Sequence, residues 1–465
     1  MMTAQGAQFR FSRSAARRRS NVVAASCRQF HPLAYWVIVV VLLTGCQTVA
    51  PPSRAPRSSG DPGTRVNKAR AYSIPSNAGP DELAVFGGLR HPSVIAAEAK
   101  VRRLMAKVPQ AEALPDPKLR VAAGSMAETA AGRADWMTGV EQALPFPGKL
   151  REMAAAAGKE AQSAAAELEV VRLDVAEQIR GTYWDYFLAV QTTAITSETK
   201  SVLEQVRDSI DVRVAANQAT QGDQLRIATE FGKLERALIE ACRAERSAEA
   251  RLNSLLNRPA GAPLPNPGVR QLGGRGELKT LLAKAEASHP SVAAAEAKVD
   301  AFRHRLNRAK LDRYPDFVVG LQHVAISDGG LAPSANGRDQ VFGTLGISLP
   351  LWQEPRRARV AEAMAGIDEA SAGVEASRSK LRFRVEDAWV RAQSADELIR
   401  LFDKQILPES KQAFDLVLTG YSAGTNSFVD ILDAWRSWLG FQLQQAGNRT
   451  KLGKAMAALR SATGQ

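Results

Sequence analysis

In long stretches of this chain, the apolar residues are spaced as in helices that pack side by side. Residues 149–216 contain no proline and only two glycines, which predicts one helix of about 68 residues, roughly 100 Å long. After a turn at 217–222, apolar residues recur at alternating intervals of four and three, with Glu245 as the polar exception. This spacing is the seam of a coiled coil. The seam consists of Ile227, Phe231, Leu234, Leu238, Ala241, Glu245, Ala248, Leu252 and Leu255.

The second half of the chain has the same pattern. Pro355 opens another long helix, and a turn at 421–424 leads into the last one. Pro408 falls inside the helical pattern and predicts a kink or a restart, because proline lacks a backbone N–H and crowds the preceding turn. The seam of the long helix is Val385, Ala388, Ala392, Ala395, Ile399, Phe402 and Ile406. The stripe on the last helix is Phe428, Leu432, Trp435 and Leu439.

Four segments of about ten residues have strand character, in two pairs. A polar loop at 127–135 joins the first pair, and a loop rich in Gly, Asn and Asp at 327–339 joins the second. Short helices at 92–114, 277–288 and 290–313 precede the pairs. The predicted strands are 118–126, 136–144, 317–326 and 340–349. Side chains predicted to share one face of the last strand are Val341, Gly343, Leu345, Ile347 and Leu349.

One sequence occurs twice. Residues 91–101 read HPSVIAAEAKV and residues 289–299 read HPSVAAAEAKV, at a spacing of 299 − 101 = 198 residues. Further matches follow at spacings of 205 to 207. This period is far longer than that of a solenoid and indicates a duplicated half-chain, which we divide into repeats at 81–275 and 276–465. The further matches are LPFP at 144–147 with LPLW at 349–352, Trp184 with Trp389, and Asp223 with Asp430.

The amino-terminal region reads as an export signal. Residues 1–45 combine several arginines with an apolar run of about 11 residues, too short for a comfortable membrane span. The run ends in LTGC, which resembles the lipobox of bacterial lipoproteins and implies lipidation of Cys46. An uncleaved anchor helix is the alternative. Residues 46–80 are rich in Pro, Ser, Gly and Arg and predict a flexible tether.

Composition excludes several functions. The formal charge is +13, but the basic leader contributes six of those charges and no dense Lys/Arg cluster follows, which argues against nucleic-acid binding. The three cysteines predict no disulfide in the mature chain, and the five histidines lack the spacing of metal ligands. We find no nucleophile elbow, phosphate-binding loop or acid–base pair. The sequence therefore predicts neither an enzyme nor a cofactor.

The predicted strands pose a geometric problem. Four strands cannot close a barrel, since about eight is the practical minimum, and an open sheet in lipid would leave unpaired edges. Either the sheet is covered and soluble, or several chains share one barrel. Helical hairpins of nearly 100 Å favour the second alternative, because they suit a tube rather than a globule.

Together these features resemble the TolC-type outer-membrane efflux channels, including their lipoprotein branch. The resemblance covers about residues 80–462 and is most specific at 421–433, which read YSAGTNSFVDILD. It implies a mainly α fold with a small β part: antiparallel coiled-coil hairpins forming an α-barrel, and four strands per chain in a homotrimeric twelve-strand transmembrane β-barrel. The implied partners are a periplasmic adaptor, an inner-membrane pump and outer-membrane lipid. The implied role is a passive exit duct.

The resemblance also implies a gate at the periplasmic entrance. Asp430 and Asp433 match acidic positions that form carboxylate rings, which concentrate cations. Tyr421 matches a latch tyrosine and Asp223 its partner, whereas Asn426 stands where another family member has Arg, so any salt bridge from that position is lost. Pure capping is the alternative for Asp430, because Ser427 three residues earlier completes a capping box.

Two other functions stay open on the residues alone. A periplasmic adaptor can also be a lipoprotein with a helical hairpin, but it would normally have one hairpin flanked by other modules. Two hairpins and two hydrophobic strand pairs argue against an adaptor. The other alternative is a structural coiled-coil lipoprotein without a pore.

Overall fold

A computed structural model describes residues 74–465 except 76, 124–127, 217–218, 269–272, 332 and 335. The predicted signal peptide, Cys46 and most of the predicted tether lie outside the described residues. The end of that tether is already packed, since Ala78 is buried and Ile74 lies against the same apolar cluster. The folded part therefore begins slightly before residue 81.

The elements follow one plan twice. The first half contains α1 (Pro80–Arg90), α2 (Pro92–Met105), α3 (Lys107–Glu112), β1 (Lys118–Ala123), β2 (Glu128–Thr129), β3 (Gly132–Leu144), α4 (Lys149–Ala215) and α5 (Gln221–Leu255). The second half contains α6 (Leu278–Ser288), α7 (Pro290–Leu311), β4 (Phe317–Ser327), β5 (Gln340–Ile347), α8 (Glu354–Leu401), a π-helical turn (Phe402–Ile406), α9 (Leu407–Ser422) and α10 (Phe428–Ala462). The long helices match the prediction closely, whereas α1 was not predicted.

The duplicated His-Pro-Ser sequence forms the same helix start in both halves. The Nδ1 atom of His91 accepts a hydrogen bond from the Ser93 amide at 3.3 Å, and His289 does the same for Ser291 at 3.2 Å. The intervening prolines occupy the first helical position, where their missing N–H has no helical partner to lose. The repeated sequence is therefore a capping device.

Ion pairs on the long helices are repeated as well. Arg172 of α4 bonds Glu98 at 2.9 Å and Glu169 at 2.6 Å. Arg378 of α8 makes the corresponding bonds to Glu296 at 3.0 Å and Glu375 at 2.8 Å. The spacing is 378 − 172 = 206 residues, within the range of 205 to 207 given by the later sequence matches.

The sheet is antiparallel, with strand order β1-β3-β4-β5. The two-residue strand β2 pairs with the start of β3, so the first predicted loop is shorter than expected. Register places Leu119, Val140, Leu321 and Gly343 side by side, which puts them on one face. Other side chains of this face are Val121, Trp136, Val319, Val341, Leu345 and Ile347. It is mostly apolar and exposed.

The opposite face of the sheet carries charged and polar side chains among apolar ones. Register aligns Lys118 with Glu141, and Gly320 with both Glu141 and Thr344. Arg120 bonds Glu141 across the same face at 3.1 Å. One face suited to lipid and one suited to water is the alternation of a membrane barrel strand. The predicted alternation of β5 is confirmed from Val341 to Ile347, whereas Leu349 lies beyond the end of the strand.

Apolar clusters hold the helices together along their length. One joins α1 and α2 to the middle of α4, and a second joins α6 and α7 to α8 and the end of α10. A third lies near the two hairpin turns and includes Leu203, Ile210, Ile227, Phe414 and Trp435. This third cluster packs the hairpin α4–α5 against the hairpin α9–α10.

The helix is not broken at Pro408 but passes through a π-helical turn just before it. The Leu407 amide bonds the Phe402 carbonyl, five residues back. Such a turn holds one residue more than an α-helical turn. It accommodates the proline without ending the helix.

Candidate functional site: the two hairpin turns

The candidate site residues lie at the two hairpin turns, and the helix after each turn begins in the same way. The Asp430 Oδ2 atom accepts hydrogen bonds from the Ser427 amide at 2.8 Å and its hydroxyl at 2.7 Å. Asp223 accepts the corresponding bonds from Thr220 at 3.2 Å and 2.8 Å. Both are capping boxes, so each carboxylate fixes a helix start as well as placing a negative charge there.

The Asp430 carboxylate is exposed and stays charged. The hydrogen bonds from the Ser427 hydroxyl and amide favour the ionised form and hold the pKa of Asp430 below its ordinary value. A permanent negative charge at this turn is what a ring of carboxylates needs.

Asp433 lies one turn further along α10 and has a cationic neighbour. Its Oδ1 atom accepts a bond from Arg436 at 3.1 Å, while the side chain remains 65% exposed. Arg436 also bonds Glu230 of α5 at 2.5 Å, and Lys233 bonds the same carboxylate at 2.7 Å. Arg436 therefore links the two hairpins and partly neutralises Asp433.

Glu230 is a buried carboxylate among apolar helices. Burial alone would raise its pKa, but the hydrogen bonds from Arg436 and Lys233 outweigh burial and hold the pKa of Glu230 below its ordinary value. The carboxylate stays ionised because two cations face it. Removing either cation would leave a poorly compensated buried charge.

Tyr421 lies at the end of α9 and is buried. The guanidinium of Arg213 in α4 stacks over its ring, 4.3 Å from the ring centre. Burial raises the pKa of the Tyr421 hydroxyl. Among the described residues the buried hydroxyl has no hydrogen-bond partner, and no bond joins it to Asp223.

Asn426 forms part of the turn itself. The amides of Thr425 and Asn426 donate to the Gly420 carbonyl at 2.9 Å and 3.3 Å. The Asn426 side chain covers Gly420 so closely that a Cβ there would lie 2.9 Å from its Cγ atom. Gly424 has a φ of +78°, which suits glycine. These contacts explain the glycines at positions 420 and 424.

The sequence did not single out Arg213, Glu230 or Arg436. A signal existed for Glu230, because it lies between Ile227 and Leu234 on the apolar face of α5. A charged residue in such a position predicts a partner across the helix interface. No comparable signal marks Arg213, whose direction depends on how the hairpins pack.

The described part of the chain has neither a metal-binding cluster nor a membrane-spanning helix. It contains no group of three or more His, Cys, Asp or Glu side chains that could hold a metal ion. No helix in the described ranges is both long and apolar enough to cross a membrane. An open amphipathic sheet joined to two hairpins of this length defines a class of protein: outer-membrane channels that combine a β-barrel with an α-helical barrel.

Comparison with known proteins agrees with this class. The family described as "Outer membrane efflux protein" matches residues 281–465. The cobalt-zinc-cadmium resistance protein CzcC of Cupriavidus metallidurans is 22% identical over 339 residues, covering 73% of this chain and 78% of CzcC. The family match covers the carboxy-terminal part of the chain, and the similarity to CzcC extends over most of its length.

Solved structures share the fold. VceC of Vibrio cholerae superimposes with a TM-score of 0.68 at 19% identity, covering 83% of this chain and 96% of VceC. The open MtrE channel of Neisseria gonorrhoeae superimposes with a TM-score of 0.68 at 17% identity, covering 84% of this chain and 93% of MtrE. The protein is an outer-membrane channel of tripartite efflux systems and a passive duct rather than an enzyme, which excludes the adaptor and pore-free alternatives.

Proposed function

We propose that the channel is a homotrimer in which three sheets form one twelve-strand barrel. The observation that carries this proposal is the open sheet, whose edges are β1 and β5 and whose apolar face is exposed. In lipid, unpaired strand edges are too unfavourable to persist, so β5 of one chain pairs with β1 of the next. Three sets of four strands exceed the minimum of about eight that a barrel needs.

The chain is also anchored through a lipidated Cys46. The helix α1 packs against Ile179, 30 residues along α4 from Lys149 at the sheet end, or roughly 45 Å. The 28 residues from Cys46 to Ile74 can extend about 90 Å. The tether is thus long enough to bring the lipid to the membrane that holds the sheet.

The hairpin turns lie at the far end of the long helices from the sheet. We place them in the periplasm, where they meet an adaptor protein that connects the duct to an inner-membrane pump. The repeats 81–275 and 276–465 contribute one hairpin each. The repeated caps and ion pairs support this division. Small molecules or ions leave through the duct.

The turns form the periplasmic gate. Asp430 and Asp433 supply negative charge at the entrance, and their position beside the second turn supports this role. Tyr421 and Asn426 shape that turn, and Asp223 starts the helix after the first one. Three copies around a threefold axis would present rings of carboxylates that favour cations.

Planar-bilayer recordings test the channel and its gate together. The purified full chain should give discrete conductance steps, and replacing Asp430 and Asp433 with Ala should lower cation preference by moving the reversal potential towards zero. A matched control replaces Glu235 and Glu240, exposed acids higher on α5, with Ala. Absence of pores would refute the channel, whereas pores with an unchanged reversal potential would refute only the gate assignment.

A further inference from the structure

Arg213 reaches from the first hairpin to the last turn of α9 in the second. Its Nη2 atom donates to the Ser422 carbonyl at 2.7 Å, and its guanidinium lies over the Tyr421 ring. Carbonyls in the last turn of a helix lack helical partners, and a cation is favourable there because of the helix dipole. One side chain thus contacts α9 through a hydrogen bond and through a ring face.

The tyrosine contributes its ring rather than its hydroxyl to this contact. In the described part of the chain the Tyr421 Oη atom is buried without a hydrogen-bond partner. The nearby carboxylate of Asp223 is engaged by Thr220 and lies 3.5 Å from Arg226. The contact on which we base a latch in this chain is therefore the stacking of Arg213 on the Tyr421 ring.

The contact also replaces a charge that the second turn lacks. Asn426 has a neutral side chain, and that side chain packs on Gly420. At the repeat spacing of 207, Arg213 corresponds to Gly420 and Val214 to Tyr421. The first hairpin therefore supplies the cation and the second supplies the ring, so this contact has no duplicate in the other half.

We propose that Arg213 is a clamp that holds the end of α9 against α4 and so keeps the periplasmic entrance closed. The clamp rests on the proposed channel function and adds a positioning residue to it. It is separate from the Arg436–Glu230 pair, which links α10 to α5. Loss of Arg213 would free α9 while α10 stays tied to the first hairpin.

Single-channel recording of the full chain tests the clamp with variants of both partners. Because a cation–π contact and a charged hydrogen bond are both lost, R213A should raise the open probability about tenfold. Y421L should behave similarly, whereas Y421F keeps the ring and should match the wild type. R213K keeps a cation and a donor and should fall between them.

Arg207 provides the matched control. It lies on the same helix with its guanidinium 5.1 Å from the ring centre of Phe231, but that contact stays within the first hairpin. R207A should therefore leave the open probability unchanged. Circular dichroism and the size of the assembly in detergent establish that each variant folds. If R213A does not fold, the open probabilities of R213K, Y421F and Y421L decide whether the clamp exists.

Three results would overturn the clamp. Wild-type pores with R213A indistinguishable from R207A would refute it alone. Y421F opening as far as Y421L would assign the latch to the hydroxyl instead. A wild-type chain without conductance would refute the channel and the clamp with it.

Discussion

At the scale of residues, the proposed gating role of the acidic side chains at the turns is compatible with their role as helix caps. Asp430 caps α10 through Ser427, and the same bonds keep it ionised. Its charge remains exposed at the turn that we propose forms the entrance. Capping and cation attraction therefore do not compete for this carboxylate, since the cap uses one oxygen and leaves the net charge in place.

The cap predicts a pH dependence. Because the folded-state pKa of Asp430 is lowered, its contribution to stability is present above the unfolded pKa of about 3.9 and is lost as pH falls through the folded value. Hydrogen exchange at the start of α10, corrected for intrinsic rates, should stay constant from about pH 7 to 4 and rise below that range. D430N should lack this rise in hydrogen exchange at low pH, which we call the acid step.

Two further variants complete that test. S427A removes the capping hydroxyl and should destabilise the start of α10 by about 1 kcal/mol at neutral pH. D208N removes an exposed carboxylate from α4 and should keep the acid step of the wild type. An acid step that persists in D430N would assign it to another group.

At the scale of elements, the alternation of the strands decides how the sheet meets its surroundings. Leu345 lies on the apolar face with Leu321 and Val140, and Thr344 lies on the polar face with Glu141. Adjacent residues of one strand thus face different solvents. The π-helical turn is a separate feature of an element. It contains one extra residue before Pro408, and the helix continues through it.

These faces predict opposite outcomes for neighbouring substitutions in β5. L345R places a charge on the apolar face and should disfavour insertion by roughly 2–4 kcal/mol per chain near the membrane centre. T344R places the same charge on the polar face and should assemble normally. The amount of trimer in the outer-membrane fraction measures both. Equal loss for the two variants would contradict the assigned faces.

At the scale of the whole molecule, one chain of the proposed trimer supplies a third of a barrel and two hairpins of a longer tube. The sheet of a single chain has two unpaired edges and an exposed apolar face. The proposed lipid anchor would add a second attachment to the same membrane. Both attachments would leave the hairpin turns free to meet the proposed adaptor.

The anchor predicts a defined amino terminus. Mass spectrometry of protein extracted from membranes should find a chain beginning at Cys46 and carrying the added mass of acyl chains. C46S should lack that mass, while the barrel still holds the trimer in the membrane. A mature chain that begins elsewhere, or an unmodified Cys46, would contradict lipidation.

Much of the fold could be predicted because its signals are local. An uninterrupted run without proline predicted α4 to within one residue of its observed end. The start of β3 was missed because Asp135 reads as loop, although it forms a bulge between paired residues. The helix α1 was missed too, although its Leu83 and Phe86 have helical spacing and are buried.

Some residues of the candidate site could likewise be predicted from the sequence, and others could not. Asp430 and Asp223 could be found because a capping box is a pattern of four consecutive residues. The contacts of Arg213 and Arg436 could not, because each side chain crosses from one hairpin to the other. Their partners are 209 and 206 residues away in the chain.

The sequence by itself determined the long helices, the alternating strands and the turn that carries the family resemblance, since each depends on residue types at short, fixed spacings. It also revealed the duplication, because matching segments recur along the chain. Only the tertiary structure decided strand order, the direction of Arg213 and the burial of Glu230. These depend on how two hairpins lie against each other, and that arrangement results from many apolar contacts between distant parts of the chain.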